Sequence, residues 1–522
     1  MIKAKYILAS AAAAMLLSSC SDDQLDRINT DEQHPSSALI SGELSITDAE
    51  VSTIYNTVDQ SYAWYTASYT EQECGTGNNQ LKNIELRLKS EMASSSTFAN
   101  EWNQTYSNLF NLKDIIGKCA AGGVNGGNHA LLGMAQTVAA LNWGILTDLH
   151  GDIPCSEALG GASAPKLDKQ KDVYDHIFAL LDSAVVNLSA GSASAKLSTH
   201  DVFFAGDMKQ WIGLAHALKA RYKLHTIGRD NSALQEALNE AQTAVSGGFT
   251  GAVLDAFKGD GKDNAWSAYH FSRYYTASST TVYNLLAERS DPRSDVYNYN
   301  GFGPGPGAGA ETPGDRTQAQ ATETMNYPMW LDNGDATMHI FSASELYFII
   351  AECKARLGQD ASAEFKEGVE ESVADILTAS AVDNDFVDQL ASAYNITFAD
   401  KTTSLSAKIS AVASAYAASL SARYAAAPLS EILIQKYIAQ SRDEQVETYN
   451  DIRRCTFVDG SYPVKLTNPN NTQNGGRPYW PNMLPYGESD VTNNPNVTAA
   501  FGSGSDAGEY IFNNKVWWAG GE

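Results

Sequence analysis

Apolar residues at helical spacing, in one segment after another, most constrain what this chain can fold into. Between 128 and 150, Leu131, Met134, Ala135, Val138, Leu141, Ile145 and Leu149 recur every three or four residues, the period of one helix face. Trp211, Leu214, Ala215, Leu218, Tyr222 and His225 form a second stripe between 207 and 228. Further helices are read at 97–120, 170–189, 231–246, 343–358, 360–380, 404–423 and 428–450. Glycines punctuate them: the run from Gly122 to Gly127 separates the first pair, Gly247-Gly248 stops the 231–246 helix, and Gly358 breaks the next pair. Each hairpin can bury its stripe only against the next. An all-α scaffold of helical pairs near 97–150, 170–228, 343–380 and 404–450 follows, with tetratricopeptide-like packing as the simplest arrangement.

Long segments escape this period. Residues 62–80, 249–342 and 456–522 are rich in Gly, Pro, Asn and aromatics and read as inserts that make a loop-rich half. The stretch from Gly301 to Gly309, with Pro304 and Pro306, reads as a surface loop. The inserts hold much of a conspicuous aromatic content, 9 Trp and 25 Tyr among 522 residues, in a chain of net charge −25. That charge excludes a nucleic-acid backbone as ligand, because phosphate binding depends on Lys and Arg.

The N-terminus reads as an export signal. Lys3 and Lys5 precede the apolar run Tyr6–Leu17, which is too short to span a bilayer, and Leu17-Ser18-Ser19-Cys20 has the form of a bacterial lipobox. Residues 1–19 are then a signal peptide, Cys20 the lipidated first mature residue, 20–40 a polar tether and 41–522 a single domain. Ser21-Asp22-Asp23 resembles the surface-export signal of Bacteroidetes lipoproteins, so the expected place is the outer membrane, facing outward. Anchoring is by lipid alone. Cys74, Cys119, Cys155, Cys353 and Cys455 are widely spaced and odd in number, which favours buried free thiols over zinc sites or a disulfide framework.

No HExxH, G-x-S-x-G or phosphate-loop motif supports an enzyme. The carboxylates between Asp255 and Asp263 fail the EF-hand spacing, and no metal or other cofactor is expected. Candidate ligand contacts are aromatics with polar neighbours outside the helical stripes, since an exposed Trp or Tyr offers sugar C–H faces a flat platform. The first group is Trp64, Tyr65 and Tyr69 beside Asn78. The second is Trp266, Tyr269, Arg273, Tyr274 and Tyr275, and Trp330 is a weaker third. Trp102, Trp143 and Trp211 lie on helical stripes and are read as core.

Several segments, in order, resemble the SusD/RagB family of Bacteroidetes outer-membrane lipoproteins. These are Leu25 to Asp31; Trp143 to Leu159 with its Gly151-Asp152-Ile153-Pro154 core; Trp211 to Arg221; Glu345 to Cys353; Ile434 to Ala439; Glu447 to Arg454; and Tyr486, Glu488 and Asn494-Pro495 near the end. Tyr437 and Tyr449 stand where the family favours Trp, and residues 381–427 are longer than usual. The resemblance implies a helical-pair scaffold, a ligand site in the loop-rich half, no catalysis, and a TonB-dependent, SusC-like transporter as partner. An oligosaccharide is the expected ligand; oligopeptide binding on the same architecture is the alternative, and a surface glycoside hydrolase a remote one. Gly151, Asp152 and Pro154 are expected to shape a turn, and Arg453-Arg454 with Glu447 and Asp451 to form ion pairs, so neither motif is read as a ligand site.

Overall fold

In the computed structural model, described at residues 39–75, 80–85, 87, 95–258, 261–273, 276–299, 326–398, 402–466, 480–502 and 507–522, helices dominate. Near the N-terminus lie α1 (Ile46–Ser52), a π-helical turn (Thr53–Val58), α2 (Ser61–Tyr69), β1 (Glu73–Gly75) and α3 (Gln80–Glu85). The scaffold runs through α4 (Ala99–Lys118), α5 (His129–His150), α6 (Gln170–Ala190), α7 (Ala195–His200), α8 (Met208–His225) and α9 (Ala233–Ser246). Short elements follow: β2 (Ala252–Leu254), α10 (Ala265–Arg273), β3 (Thr276–Ser278), α11 (Thr280–Ala287), α12 (Ser294–Tyr297) and β4 (Met338–Phe341). The scaffold resumes with α13 (Ala343–Arg356), α14 (Ser362–Ala379), α15 (Asn384–Ala393), α16 (Leu405–Ser419), α17 (Ser421–Ala426), α18 (Pro428–Ala439) and α19 (Gln445–Val458), and α20 (Glu488–Asn493), α21 (Pro495–Phe501) and α22 (Ala507–Asn513) close it. Among the described residues the strands form two antiparallel pairs, β1 with β3 and β2 with β4.

The scaffold helices pack serially: α4 on α5, α5 on α6, α6 on α8, α8 on α9, α9 on α13, α13 on α14 and α14 on α16. The all-α scaffold expected from the stripes is what forms. Caps fix several of its starts. Asn128 accepts from the Leu131 amide, Asp207 from Lys209 and Gln210, Ser342 from Glu345 and Ser404 from Ala407. Helix α5 is buried on nearly all sides, and its glycines let neighbours come close. A Cβ on Gly144 would fall 2.0 Å from the Tyr222 hydroxyl. This helix is long and apolar enough to cross a bilayer, but it lies inside the protein. Trp102, Trp143 and Trp211 are buried as expected.

Three segments differ from their sequence reading. Residues 62–80 are not an irregular insert: Ser61–Tyr69 is helical and Glu73–Gly75 pairs with Thr276–Ser278. The helix read at 428–450 is two, separated at Gln440–Glu444, and the second continues to Val458, into the segment read as a loop. The break is held from a distance. Glu444 accepts from the Ser342 amide at 2.7 Å and the Ser342 hydroxyl at 2.7 Å, and Asp443 meets His339 Nδ1 at 2.9 Å. Residues 249–342 carry short helices and strands instead of uninterrupted loop; Gly301–Gly309 lies outside the described residues. Cys74, Cys119, Cys353 and Cys455 are buried free thiols, and Cys155 is half-buried.

Candidate functional site: an aromatic face between two short helices

The residues sorted by the turn of α2 show which aromatics can meet a ligand. Tyr62, Tyr65 and Tyr69 share one helix face and are all buried. Tyr62 meets His150 Nε2 at 3.0 Å, and Tyr65 sets its ring edge-on to Phe98 at 4.9 Å. Trp64 lies off that face and is half-buried. On α10 the same sorting applies. The Asn264 side chain accepts from the Ser267 amide at 2.9 Å at the helix start, Trp266 and His270 turn inward, and Tyr269 is half-buried.

The two half-buried rings meet. Trp64 and Tyr269 stack with centroids 3.7 Å apart and planes 16° from parallel, and Trp266 stands edge-on to Trp64 at 6.4 Å. Along α10, the row continues. His270 packs on Tyr327 at 4.4 Å, Tyr327 meets Tyr299 edge-on at 5.6 Å, and the Tyr327 hydroxyl donates to Asp332 at 2.9 Å. Phe271 is 46% exposed. Burial lowers the His270 pKa to about 4, so its ring is neutral near pH 7. Burial raises the carboxyl of Asp59, which faces Trp266, and, on β1, that of Glu73, which reaches about 8. The face therefore presents partly exposed rings with the Tyr327 hydroxyl and the exposed Asp332 carboxylate beside them, apolar ring surface next to polar groups.

Of the sequence candidates, the fold brings Trp64 and Tyr269 together and places Trp266 as their buried support. Tyr65, Tyr69 and Trp330 are buried among other side chains, which corrects their reading as exposed platforms: Tyr65 and Tyr69 belong to the inward face of α2, and Trp330 packs on Tyr297 at 6.0 Å. Arg273 ends α10. Asn78, Tyr274 and Tyr275 lie outside the described residues, as does Cys20. Tyr299 was not among the candidates; its local signal was only a Tyr-Asn-Tyr step before a glycine-rich run.

The motif residues gather elsewhere, in a buried network of charges. Arg221 meets Glu345 through Nε at 2.9 Å and through Nη2. Arg454 meets Glu352 at 2.5 and 2.9 Å and Asp451 at 2.6 Å; Lys436 also meets Asp451 at 2.7 Å, and Arg356 meets Glu352 at 2.7 Å. His225 bridges Asp148 (3.3 Å from Nδ1) and Glu447 (3.0 Å from Nε2). Those three side chains are spaced as metal ligands could be. However, His225 faces the two carboxylates through opposite ring nitrogens, so it acts as a protonated bridge. Burial opposes its charge, but Asp148 and Glu447 raise its pKa to about 9.

The Gly-Asp-Ile-Pro segment is a junction. Gly151 ends α5 at φ 78°, a left-handed conformation suited to glycine. Asp152 accepts from the Gln170 amide at 2.8 Å and so caps α6, whose own N-cap residue, Lys169, supplies no side-chain cap. The turn amides expected for Asp152 go instead to Asp168, which accepts from Cys155 at 3.0 Å and Ser156 at 2.7 Å. Leu484 donates to the Leu149 carbonyl at 2.7 Å, and the Tyr486 hydroxyl to that of Asp152 at 2.7 Å, fastening the closing segment to the junction.

Residues 32–481 match the family model for SusD-like proteins, described as starch-binding and associating with the outer membrane, and the chain belongs to that family. A SusD/RagB family protein of Bacteroides thetaiotaomicron superposes with a TM-score of 0.77 at 29% identity, covering 92% of this chain and all of the other. A chitin-binding protein (TM-score 0.66, 22% identity, 93% of this chain and 100% of that one) shares the fold. So does a chitin-binding SusD homolog from Flavobacterium johnsoniae (TM-score 0.63, 16% identity, 91% and 98%). No protein of curated function matches the sequence.

Proposed function

We propose that this protein is a non-catalytic lipoprotein of the outer membrane that captures oligosaccharides outside the cell and hands them to a SusC-like TonB-dependent transporter. The observation that carries the ligand class is the Trp64–Tyr269 stack, a pair of half-buried aromatic rings that offers apolar ring surface to sugar C–H groups. Family membership supports the location and the sugar ligand. On this reading residues 1–19 are removed, Cys20 carries lipid, residues 20–40 tether the domain, and Arg273, Asn78, Tyr274 and Tyr275 remain candidate ligand contacts.

Calorimetry of the purified mature protein against a panel of plant, host and microbial oligosaccharides, with peptide mixtures alongside, tests the ligand class. At least one glycan is expected to bind and none to be cleaved. Peptide binding with silence from every glycan would replace the oligosaccharide by the peptide reading, and release of shorter sugars would overturn the non-catalytic one. Trp64→Ala is expected to weaken the bound glycan by about tenfold or more, equivalent to about 1.4 kcal/mol, while far-ultraviolet circular dichroism is unchanged. An unchanged affinity would place the ligand elsewhere. Co-purification of the transporter with the tagged, lipidated protein from native membranes tests the partner.

A further inference from the structure

Arg453 and Arg454 are neighbours in sequence with opposite surroundings. Arg454 is bound by two carboxylates. Arg453, 4% exposed, has no ion pair among the described residues. Its Nη1 donates to the Asn482 carbonyl at 2.9 Å, its Nη2 to the Asp148 carbonyl at 2.8 Å and to Asn450 Oδ1 at 2.5 Å, and its Nε–H is buried without a partner. Of the other buried arginines, Arg221, Arg289, Arg293 and Arg442 each meet a carboxylate within 2.8 Å and Arg87 meets Glu71 at 3.7 Å. The Tyr449 and Trp518 rings, with centres 4.0 and 4.8 Å from its guanidinium carbon, stabilise the charge in part, but a buried cation without a carboxylate remains costly. The nearby carboxylates of Asp148 and Glu447 are already shared with His225.

Arg453 lines a pocket of about 240 Å³ at the end of α19. Exposed Lys515, which forms no ion pair among the described residues, Asn482 and Thr456 add polar groups; Trp480, Phe457 and Ile452 supply apolar walls. Both aromatic rings are backed by further cations. Arg87 lies 4.8 Å from the Trp480 ring centre and Arg229 5.1 Å from that of Phe457. Arg87 is itself paired with Glu71 at 3.7 Å, so the cations that line the pocket without an ion pair among the described residues are Arg453 and Lys515, on a chain of net charge −25.

We propose that this pocket is an anion site for a small carboxylate with a single flat or ring-shaped body, whose carboxylate would face Arg453 and Lys515 and whose ring would lie against Trp480 and Phe457. The unpartnered Nε–H of Arg453 offers a carboxylate one charge-assisted hydrogen bond and Lys515 a second charge, and the volume, below that of pockets for larger ligands, suits one ring. An aromatic acid and a free uronic acid share this chemistry. The site shares no lining residue with the Trp64–Tyr269 platform and does not depend on the glycan reading.

The test is titration of the mature protein with sodium benzoate and with sodium glucuronate at constant ionic strength, followed by calorimetry and tryptophan fluorescence, with benzamide and glucose as neutral counterparts. Saturable binding of one or both carboxylates is expected, with the neutral counterpart at least about tenfold weaker. Benzoate alone would identify an aromatic acid as the ligand, glucuronate alone an acidic sugar. Lys515→Gln is expected to weaken binding about three- to tenfold, and Arg453→Gln by more than tenfold. Should Arg453→Gln fail to fold, Thr456→Trp, which fills the pocket from an exposed position on its rim, must remove binding. Trp64→Ala must leave it intact. Absence of binding up to about 10 mM of either acid, binding indifferent to both Lys515→Gln and Thr456→Trp, or loss of binding in Trp64→Ala would each overturn the proposal.

Discussion

Replacing Arg454 by methionine is expected to lower the free energy of unfolding by about 3–5 kcal/mol, measured by chemical denaturation. The side chain has no solvent exposure and binds Glu352 through both outer nitrogens while also holding Asp451. Burial alone would raise the Glu352 carboxyl; Arg454 and then Arg356 outweigh it and hold it well below the ordinary carboxylate range. Methionine matches much of the volume but leaves that charge short of a partner. Two contacts moderate the loss, because Arg356 still reaches Glu352 and Lys436 still reaches Asp451. Lysine at position 454 should rescue little, since one ammonium cannot reproduce the paired geometry. Changing Glu352 to glutamine together with Arg454 to methionine should cost less than the two single changes added, which is how coupled neighbours behave. A loss below about 1 kcal/mol for Arg454→Met would mean that the network is not the fastening between α13, α18 and α19 described above.

The contrast between what was legible and what was not follows the range of the interactions. Helices α5 and α8 were visible because their stripes of Leu, Ala and Met repeat locally at the helical period. Helix α2 was not, because its inward stripe is Tyr62, Tyr65 and Tyr69, and aromatics at that spacing read equally well as a ligand platform. The same ambiguity put the buried Tyr65 and Tyr69 beside the half-buried Trp64 in one candidate group. Composition could nominate Trp64 and Tyr269; only the pairing of β1 with β3, which ties α2 to α10, brings their rings together. The break between α18 and α19 was hidden for a similar reason. Asp443 and Glu444 would be tolerable in a helix, and they end one here because His339 and Ser342, remote in sequence, bind their carboxylates. The motif residues Arg221, Glu345, Glu352, Glu447 and Arg454, far apart in sequence, converge in the buried network of charges.

The stability of the fold is expected to fall as pH rises from about 6.5 to about 9, and the His225→Gln variant should lack the part of that fall that comes from the histidine. His225 titrates near 6.5 in the unfolded chain and at about 9 when folded. Below pH 6.5 both states carry the proton and the interaction with Asp148 and Glu447 contributes in full. Between the two values the unfolded state has lost its proton while the folded state keeps it, so unfolding becomes steadily easier; above about 9 the contribution is gone. The difference amounts to roughly 3 kcal/mol. Glu73, raised to about 8 by burial, acts earlier: stability is lost from its unfolded value near 4.3 up to about 8, because the unfolded carboxyl ionises first. Between about pH 4 and 6.5 that loss is opposed by His150 and His270, which burial holds at about 3 and about 4, so they stay neutral in the fold while the unfolded chain binds protons. The decline is therefore expected above about 6.5, where Glu73, Glu444 (also raised to about 8 by burial) and His225 share it. Glu447 does not add to the decline there, since Arg221 and His225 overcome its burial and hold it at about 2, leaving it ionised throughout. Urea denaturation midpoints of wild type and His225→Gln, compared at pH 6, 7.5 and 9, separate the contributions. The variant should be the less stable protein at pH 6, and the gap between the two should narrow by pH 9. A gap that stays constant with pH would show that His225 is neutral in the folded protein and that Asp148 and Glu447 are held by other donors.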